Sequence, residues 1–200
     1  MTNSMSNTVV SKARSWRTVD IVVAAVFGVA FGVVFWAWNL LGTVVGPALA
    51  FFAPVAAILN GVFLMPGVIA GLVIRKPGAA IVASTLAATV SILLGSPYGG
   101  IIIVYGLVQG IGAEVGFALM RYRRFGLAAA LLAAVTAGLS TAVLDLTYYY
   151  STWPLHWMGS YLGLTVLSSM LLAGLGGWFL VRALAASGAL SSFPVGQRRI

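Results

Sequence analysis

Two carboxylic acids and two amides stand inside strongly apolar segments of this sequence: Glu114, Asp145, Asn60 and Gln109. An ionisable group in an apolar setting is costly unless it is paired, hydrated or neutral, and in membrane proteins such groups face the bundle interior. No Lys or Arg stands deep in any of these segments. We therefore expect the two carboxyl groups to be protonated, hydrogen-bonded or ready to receive a cationic ligand.

Helical spacing places some of these groups on a common face. Tyr98, Tyr105 and Gln109 follow one another at intervals of seven and four residues, so they share one side of a helix. Glu114 lies five residues beyond Gln109 and is rotated away from it by roughly 140° on an α-helix. Glu114 is therefore either a ligand contact or a structural hydrogen-bond partner between helices, and the spacing leaves both interpretations open.

Aromatic and polar side chains gather in the connections that carry no basic residue. Asp145 is followed at i+3 and i+4 by Tyr148 and Tyr149. An aromatic belt at the lipid headgroups explains single residues of this kind, but such a belt serves both interfaces, and the opposite ends of the apolar segments hold few aromatics. The excess predicts a ligand site near this end, among Trp38, Asn39, Tyr98, Tyr148, Tyr149, Tyr150, Trp153, His156 and Trp157.

The elements that must position these groups are membrane helices. Of the 200 residues, 61% are hydrophobic and only 7% are charged, whereas soluble proteins contain about 25% charged residues. The mean hydropathy is +1.06. The chain therefore has too little polar surface for a soluble enzyme, and because it has no cysteine it is not a disulfide-stabilised secreted protein.

The 11 Lys and Arg residues outnumber the three acids, but they lie between and beyond the apolar segments. This pattern indicates membrane orientation rather than nucleic-acid binding. The positive-inside rule places each basic cluster in the cytoplasm, so the segments between clusters cross in pairs and both termini are cytoplasmic. The clusters are Lys12/Arg14/Arg17, Arg75/Lys76, Arg121/Arg123/Arg124, and Arg182 with Arg198/Arg199.

These pairs predict an all-α integral membrane protein, a bundle of six transmembrane helices. Residues 1–18 form a cytoplasmic segment, residues 19–182 the membrane domain, and residues 183–200 a cytoplasmic tail that we expect to be mobile. The path of residues 39–74 stays open, since Pro and Gly interrupt helices and this part contains Asn60, Gly61, Pro66 and Gly67. The predicted spans are 19–38, one crossing within 45–74, 78–94, 101–120, 125–147 and 157–181.

Motifs of catalysis are missing from the sequence. It contains no G-x-x-x-x-G-K-[ST] phosphate loop, no G-x-S-x-G nucleophile elbow, and no H-E-x-x-H zinc motif, since His156 is its one histidine. The sequence therefore predicts neither an enzyme nor a bound cofactor or metal.

Small residues recur every four positions in the first span, at Ala24, Gly28 and Gly32. This spacing lets another helix approach closely. That helix belongs either to the same bundle or to a second membrane protein, and the spacing leaves both possibilities open.

Three stretches carry a resemblance to a known family: FGVVFWAWN at residues 31–39, ILNGVFLMPGVIAGLVIRKPGAA at 58–80 and YGLVQGIGAEVGF at 105–117. With the length and predicted topology, they resemble the substrate-capture (S) components of energy-coupling factor (ECF) vitamin transporters, and within these the YkoE group. The resemblance implies a subunit of a prokaryotic plasma membrane that captures a vitamin from the outer side. It also implies delivery through a transmembrane coupling (T) component, driven by two cytoplasmic ATP-binding-cassette (ABC) ATPases, with docking through Ala24, Gly28 and Gly32.

The same resemblance implies thiamine or its hydroxymethylpyrimidine precursor as the ligand. The ring faces suit stacking on Trp or Tyr, the thiazolium charge suits a cation–π contact or a carboxylate, and the aminopyrimidine edge suits Asn, Gln or Glu. The sequence does not separate the two ligands, because both contain the aminopyrimidine ring. The predicted ligand-binding residues are Trp36, Asn39, Asn60, Tyr98, Tyr105, Gln109, Glu114, Asp145, Tyr148, Tyr149 and Trp157.

Two functions of other classes stay open at the level of sequence. An ion-coupled carrier or channel would use Glu114 and Asp145 as titrating groups. A structural membrane scaffold would bind no vitamin, and it would leave the aromatic cluster unexplained.

Overall fold

The computed structural model describes residues 15–197, and this part of the chain is helical with short connections. Two helical segments depart from α geometry, one with 3₁₀ and one with π hydrogen bonding. In chain order the elements are α1 Thr18–Leu49, the 3₁₀ segment Ala50–Leu64, α2 Met65–Ile74, α3 Ala79–Leu93, α4 Ile101–Leu119, α5 Leu127–Tyr148, α6 Leu155–Ser168, the π segment Ser169–Gly176, α7 Gly177–Ala186 and α8 Pro194–Gln197.

Several of these helical segments follow one another without a break and together reach the length needed to span a membrane. Among the described residues, four continuous helical stretches are long and apolar enough to cross a membrane: Thr18–Ile74, Ile101–Leu119, Leu127–Tyr148 and Leu155–Ala186. Helix α3 is apolar but shorter, at 15 residues. The prediction of an all-α membrane protein agrees with this architecture.

The first stretch contains a reversal of chain direction. Phe52 has a non-helical conformation, with φ −145° and ψ 90°, and the chain beyond it returns along α1. The indole N–H of Trp38 donates to the carbonyl oxygen of Leu59 at 2.9 Å, and the rings of Phe35 and Phe63 lie 5.1 Å apart. The main break therefore lies before the Asn, Gly and Pro positions that the sequence indicates.

Helices α3, α4 and α5 pack with their backbones close together. A Cβ atom on Gly106 would lie 2.6 Å from the Cβ of Ala88, and one on Gly110 would lie 2.6 Å from the Cα of Ile81. On the other side of α4, a Cβ atom on Gly112 would lie 2.8 Å from the Cα of Ala137. Such close approach gives dispersion contacts that hold helices together where lipid removes the hydrophobic drive.

The stripe of small residues in α1 belongs to this internal packing. Ala24, Gly28 and Gly32 are buried, and Cβ atoms on the two glycines would lie 2.5 Å from the Cβ atoms of Leu86 and Val90 in α3. Of the two alternatives that the spacing leaves open, the structure therefore favours packing within the same bundle for Gly28 and Gly32, and docking of a partner on this stripe stays an untested prediction.

The end of the bundle that holds the described basic clusters, called the basic end below, is closed by specific polar contacts. The buried carboxylate of Asp20 forms ion pairs with Lys76 at 2.5 Å and with Arg17 at 3.3 Å. The indole N–H of Trp16 donates to the carbonyl oxygen of Pro77 at 3.1 Å. These bonds join the start of α1 to the α2–α3 connection.

The tail also packs against the basic end. Phe193 is only 2% exposed and belongs to the core together with Leu190, while the guanidinium carbon of Arg17 lies 6.0 Å from the Phe193 ring centroid. The expectation of a mobile tail is therefore wrong for residues 183–197, because two apolar side chains anchor it. The predictions for Lys12, Arg14, Arg198 and Arg199 lie outside the described residues.

Candidate functional site

A cavity of about 180 Å³ opens between the helices at the end opposite the basic end, called the aromatic end below. Its wall includes residues of α1, the 3₁₀ segment, α3, α4, α5 and α6. The structure brings seven of the predicted ligand-binding residues to it: Asn39, Asn60, Tyr98, Tyr105, Gln109, Asp145 and Tyr149.

Asp145 is the centre of a hydrogen-bond network in the cavity wall. Its side chain is 7% exposed. The hydroxyl of Tyr105 donates to Oδ1 at 2.6 Å, and the hydroxyl of Tyr161 donates to Oδ2 at 2.8 Å. The amide of Asn60 donates to the Tyr161 oxygen at 2.9 Å. Because these four residues come from four different elements, the carboxyl group fixes α4, α6 and the 3₁₀ segment around α5.

Two polar groups of the cavity wall have no protein partner. Gln109 is 6% exposed, and its side-chain amide makes no hydrogen bond to any residue among 15–197. The buried hydroxyl of Ser91 is likewise without a partner in this part of the chain. An unpaired buried polar group costs about 1–3 kcal/mol, so water or a ligand in the cavity would relieve that cost. The amide offers both a donor and an acceptor to such a ligand.

Tyrosine rings form the mouth of the cavity. Tyr98 and Tyr149 are about half exposed, and the ring of Tyr149 is stacked on that of Tyr105 with centroids 6.3 Å apart. Asn39 donates from its amide to the hydroxyl of Ser96 at 3.1 Å, which holds α1 to the α3–α4 connection. A flat ligand that enters here would meet aromatic faces before it reaches the carboxyl group.

A second layer of aromatic rings backs this mouth. Tyr150 lines the cavity and stacks on Trp153 at 4.0 Å, and Trp153 contacts Trp157 at 5.5 Å. Phe52, at the reversal after α1, closes the row against Trp157 at 6.0 Å. Burial raises the pKa of the Tyr150 phenol, so its hydroxyl stays protonated and can donate a hydrogen bond.

Three aromatic residues of the predicted site lie off the cavity. Trp36 is rotated by about 100° from its neighbour Phe35 on the helix, and it is Phe35 that lines the cavity. Tyr148 is 61% exposed on the outside of the bundle, and Trp157 stands in the second layer. The structure therefore corrects the placement of Trp36, Tyr148 and Trp157.

Glu114 has a structural position instead of a place at the cavity. Its carboxylate accepts hydrogen bonds from the backbone N–H groups of Gly78 at 2.8 Å and Ala80 at 3.1 Å, and from the Tyr122 hydroxyl at 2.6 Å. Gly78 is the N-terminal cap of α3. The free N–H groups of a helix N-terminus favour a negative partner, so Glu114 is the structural link between helices and not a ligand contact.

Sequence reasoning missed several residues that line the cavity. The buried face of α1 runs through Gly28, Gly32, Phe35 and Asn39, so the stripe of small residues points toward the cavity wall. Tyr161 has the spacing of an inward polar stripe with Thr165 and Ser168, and the structure buries all three. The lining residues with polar or aromatic side chains that sequence reasoning did not indicate are Phe35, Phe63, Ser91 and Thr141, whereas Tyr150 belongs to the predicted aromatic cluster and Tyr161 to the inward stripe.

Comparison with known proteins assigns the family. Residues 19–140 match the family described as "ABC-type cobalt transport system, permease component". The chain is 34% identical over 186 residues to the "Putative HMP/thiamine permease protein YkoE" of Bacillus subtilis (strain 168), with 92% of each chain covered. It also superposes with a TM-score of 0.86 on a crystal structure described as an S-component of ECF transporter, at 34% identity and with 92% of each chain covered.

The relative and the solved structure each match over 92% of this chain. They agree with the resemblance carried by residues 31–39, 58–80 and 105–117. S components are the substrate-binding subunits of membrane transporters and are not enzymes. The chain belongs to the S components of ECF transporters, in the YkoE group, and is a multi-pass membrane protein.

Proposed function

We propose that this protein captures thiamine or hydroxymethylpyrimidine in the cavity at its aromatic end. The observation that carries the proposal is the combination of tyrosine rings, one carboxyl group and an unpaired amide in a single wall. The name of the Bacillus subtilis relative, an HMP/thiamine permease, supports the same ligands.

The chemistry of the two ligands matches these groups. The aminopyrimidine presents a donor beside an acceptor, and the Gln109 amide presents the complementary pair. The ring can lie against the faces of Tyr98, Tyr105 or Tyr149. In thiamine, the thiazolium cation is attracted by aromatic faces at roughly 0.5–2 kcal/mol per contact and by the carboxyl group of Asp145.

The membrane orientation follows from the distribution of charge. We propose six crossings, of which α1 and the chain from Phe52 to Ile74 supply two, with both termini and the basic end in the cytoplasm of a prokaryote. The cavity then opens to the outer side. Single cysteines in place of the exposed Ser151 and Arg123 test this, since the chain has no other cysteine.

In intact cells, a membrane-impermeant maleimide is expected to label Ser151→Cys and to leave Arg123→Cys unlabelled until the membrane is opened. The opposite pattern would reverse the orientation, and labelling of both variants in intact cells would contradict the single crossing by α5 between these two positions.

The transport step requires partners. As an S component, the protein is proposed to deliver its ligand through a T component driven by two cytoplasmic ABC ATPases. The contacts of Gly28 and Gly32 with α3 favour another surface for the T component than the stripe of small residues in α1.

Two alternative functions, ion-coupled transport and cobalt transport, fit the structure less well. An ion-coupled carrier would need both Glu114 and Asp145 to titrate along one path, but Glu114 is held by three hydrogen bonds at the N-terminus of α3. Cobalt, named in the family description, prefers imidazole and other nitrogen or oxygen ligands gathered in one place. Among residues 15–197, no three His, Cys, Asp or Glu side chains come together.

Direct titration of the detergent-solubilised, full-length protein tests the proposal. Thiamine and hydroxymethylpyrimidine are added separately, and heat or tryptophan fluorescence is recorded. We expect saturable binding of at least one of them, unchanged in Tyr148→Phe, whose ring lies outside the cavity. Absence of binding by both compounds would overturn the proposed ligands while leaving the family assignment intact.

A further inference from the structure

Among residues 15–197, the lining of the cavity contains one carboxyl group and no cationic side chain. Asp145 is the one charged residue of this described lining, and the other lining side chains are apolar, aromatic or neutral polar groups. A phosphate group in such a place would find neutral donors from Gln109, Ser91 and the tyrosine hydroxyls, but no Lys or Arg to balance its charge.

The whole sequence shows the same separation of charge. Its 11 Lys and Arg residues stand at positions 12, 14, 17, 75, 76, 121, 123, 124, 182, 198 and 199. None lies in residues 50–60, 95–100 or 149–156, which are at the aromatic end of the bundle. A phosphate that protruded from the mouth would therefore also meet no basic side chain from these three segments.

We propose that the site selects unphosphorylated vitamin and excludes the phosphate esters of the same heterocycles. This inference rests on the proposed function, and it defines the substrate class of that site more narrowly. An anion transferred from water into this wall loses hydration without gaining an ion pair, which is unfavourable. The carboxyl group of Asp145 adds either repulsion, when it is ionised, or no compensating charge, when it is neutral.

The location of the phosphate on the ligand does not alter the expectation. In thiamine monophosphate the phosphate is on the hydroxyethyl arm of the thiazolium, whereas in hydroxymethylpyrimidine phosphate it is on the carbon that joins the two rings in thiamine. The two esters therefore place the anion at different points of the cavity. The described lining offers no cation at either point, so both esters are expected to bind poorly.

The experiment uses two matched pairs of compounds with the full-length wild-type protein in detergent. Thiamine is compared with thiamine monophosphate, and hydroxymethylpyrimidine with its phosphate, by isothermal titration at low ionic strength, where screening is weak. We expect each ester to bind at least about tenfold more weakly than its parent alcohol. An ester that binds as tightly as its parent would overturn the proposal.

The role of Asp145 is tested separately by Asp145→Asn, which keeps the shape of the side chain. We expect this variant to lose affinity for thiamine, so that the affinities for thiamine and for its monophosphate become more similar. Tyr148→Phe is expected to keep the wild-type difference in affinity between the two compounds. An unchanged difference in a folded Asp145→Asn protein would overturn the assignment to this residue. If the variant does not fold, the wild-type pairs still decide the selectivity.

Failure of the proposed ligands and failure of the proposed selectivity give different results in these titrations. Failure of both parent alcohols to bind would remove the proposed ligands. Binding of a parent together with equal binding of its ester would leave the proposed function in place and remove only the selectivity.

Discussion

The two sides of the cavity are built in different ways. One side, the packed wall, consists of α3, α4 and α5, which are regular helices joined by close backbone contacts at Gly106, Gly110 and Gly112. The other side, the polar wall, consists of the 3₁₀ segment and α6. There, the backbones also approach closely, since a Cβ atom on Gly61 would lie 2.4 Å from the carbonyl oxygen of Ser168, and side-chain hydrogen bonds are added to this packing.

Ser168 illustrates the polar wall. Its hydroxyl donates to the carbonyl oxygen of Ile58 at 2.5 Å and accepts the N–H of Gly61 at 3.1 Å. These bonds satisfy backbone groups at the place where 3₁₀ geometry replaces the α pattern, and where Ser168 is followed by the π segment. Irregular helical turns have poorer internal hydrogen bonds and often occur at functional positions. The difference indicates a firm surface on one side of the ligand and a surface held by polar contacts on the other.

Disruption of the packed wall is expected to have the largest effect. In Gly110→Leu the new Cβ would lie 2.6 Å from the Cα of Ile81, so α3 and α4 must separate. Overpacking of this kind costs about 1–3 kcal/mol, and occasionally more. We expect a large fall in the thermal midpoint and in the yield of folded protein, both measured in detergent.

Gly163→Leu is the matched control for that substitution, because no atom lies within 4 Å of a Cβ at this glycine of α6. It is expected to unfold like the wild type. Equal stability of the two variants would contradict the description of α3 and α4 as a closely packed wall.

Substitution of Gln109 separates ligand affinity from stability. Its amide lines the cavity without a partner among the described residues, so Gln109→Ala removes the proposed ligand contact but no hydrogen bond within the described part of the protein. Loss of the ligand bond is expected to cost about 1–3 kcal/mol, which is roughly a tenfold to hundredfold loss of affinity. Titration should record this loss while the thermal midpoint of the ligand-free protein stays the same or rises.

A stable Gln109→Ala protein with wild-type affinity would place the ligand elsewhere in the cavity. In that case the unpaired hydroxyl of Ser91, also in the packed wall, becomes the next position to replace.

The polar wall is tested by Ser168→Ala. The substitution removes the hydrogen bonds to Ile58 and Gly61, and the buried backbone groups left behind destabilise the fold by about 1–2 kcal/mol. Ser160→Ala in the same helix is the control, because this exposed hydroxyl bonds only the carbonyl oxygen of His156 in its own helix. A thermal midpoint of Ser168→Ala equal to that of Ser160→Ala would show that these bonds do not hold the polar wall.

The sequence predicts the packed wall better than the polar wall. The four-residue spacing of Tyr105 and Gln109 places them on one face of α4, and this face lines the cavity. Tyr98 also lines the cavity, but from the α3–α4 connection and not from the helix. The high cost of an isolated carboxyl group likewise indicates that Asp145 faces inward. Both inferences need only the geometry of one helix and the polarity of its surroundings.

The predictions that differ from the structure, such as those for Trp36 and Glu114, have a different physical origin. A membrane helix is apolar on all sides, so its sequence does not indicate which face turns inward. The sequence of α1 therefore gives no reason to prefer Phe35, which lines the cavity, over its neighbour Trp36. The donors to Glu114, from Gly78, Ala80 and Tyr122, come from the start of another helix and from a loop. Such partners are set by tertiary packing, and the same holds for the contact of Gly28 and Gly32 with α3.

The smallest expected effects on stability come from the loss of single hydrogen bonds to Asp145. They allow a bond within the packed wall to be compared with a bond between the two walls. Tyr105→Phe removes a bond to Asp145 inside the packed wall, whereas Tyr161→Phe removes a bond that joins the polar wall to Asp145 and also removes the oxygen that accepts from Asn60. We expect a loss of about 0.5–1.5 kcal/mol for Tyr105→Phe and a larger loss for Tyr161→Phe.

Thermal unfolding of both single variants, of Asp145→Asn and of the two double variants gives the coupling of each tyrosine to the carboxyl group. The coupling should be larger for Tyr161, because its hydroxyl is both a donor to Asp145 and an acceptor from Asn60, so its loss disturbs two bonds at once. Equal coupling energies would mean that the Tyr161–Asp145 bond between the two walls is no stronger than the Tyr105–Asp145 bond within the packed wall. The polar wall would then depend mainly on the contacts of Ser168 and not on Asp145.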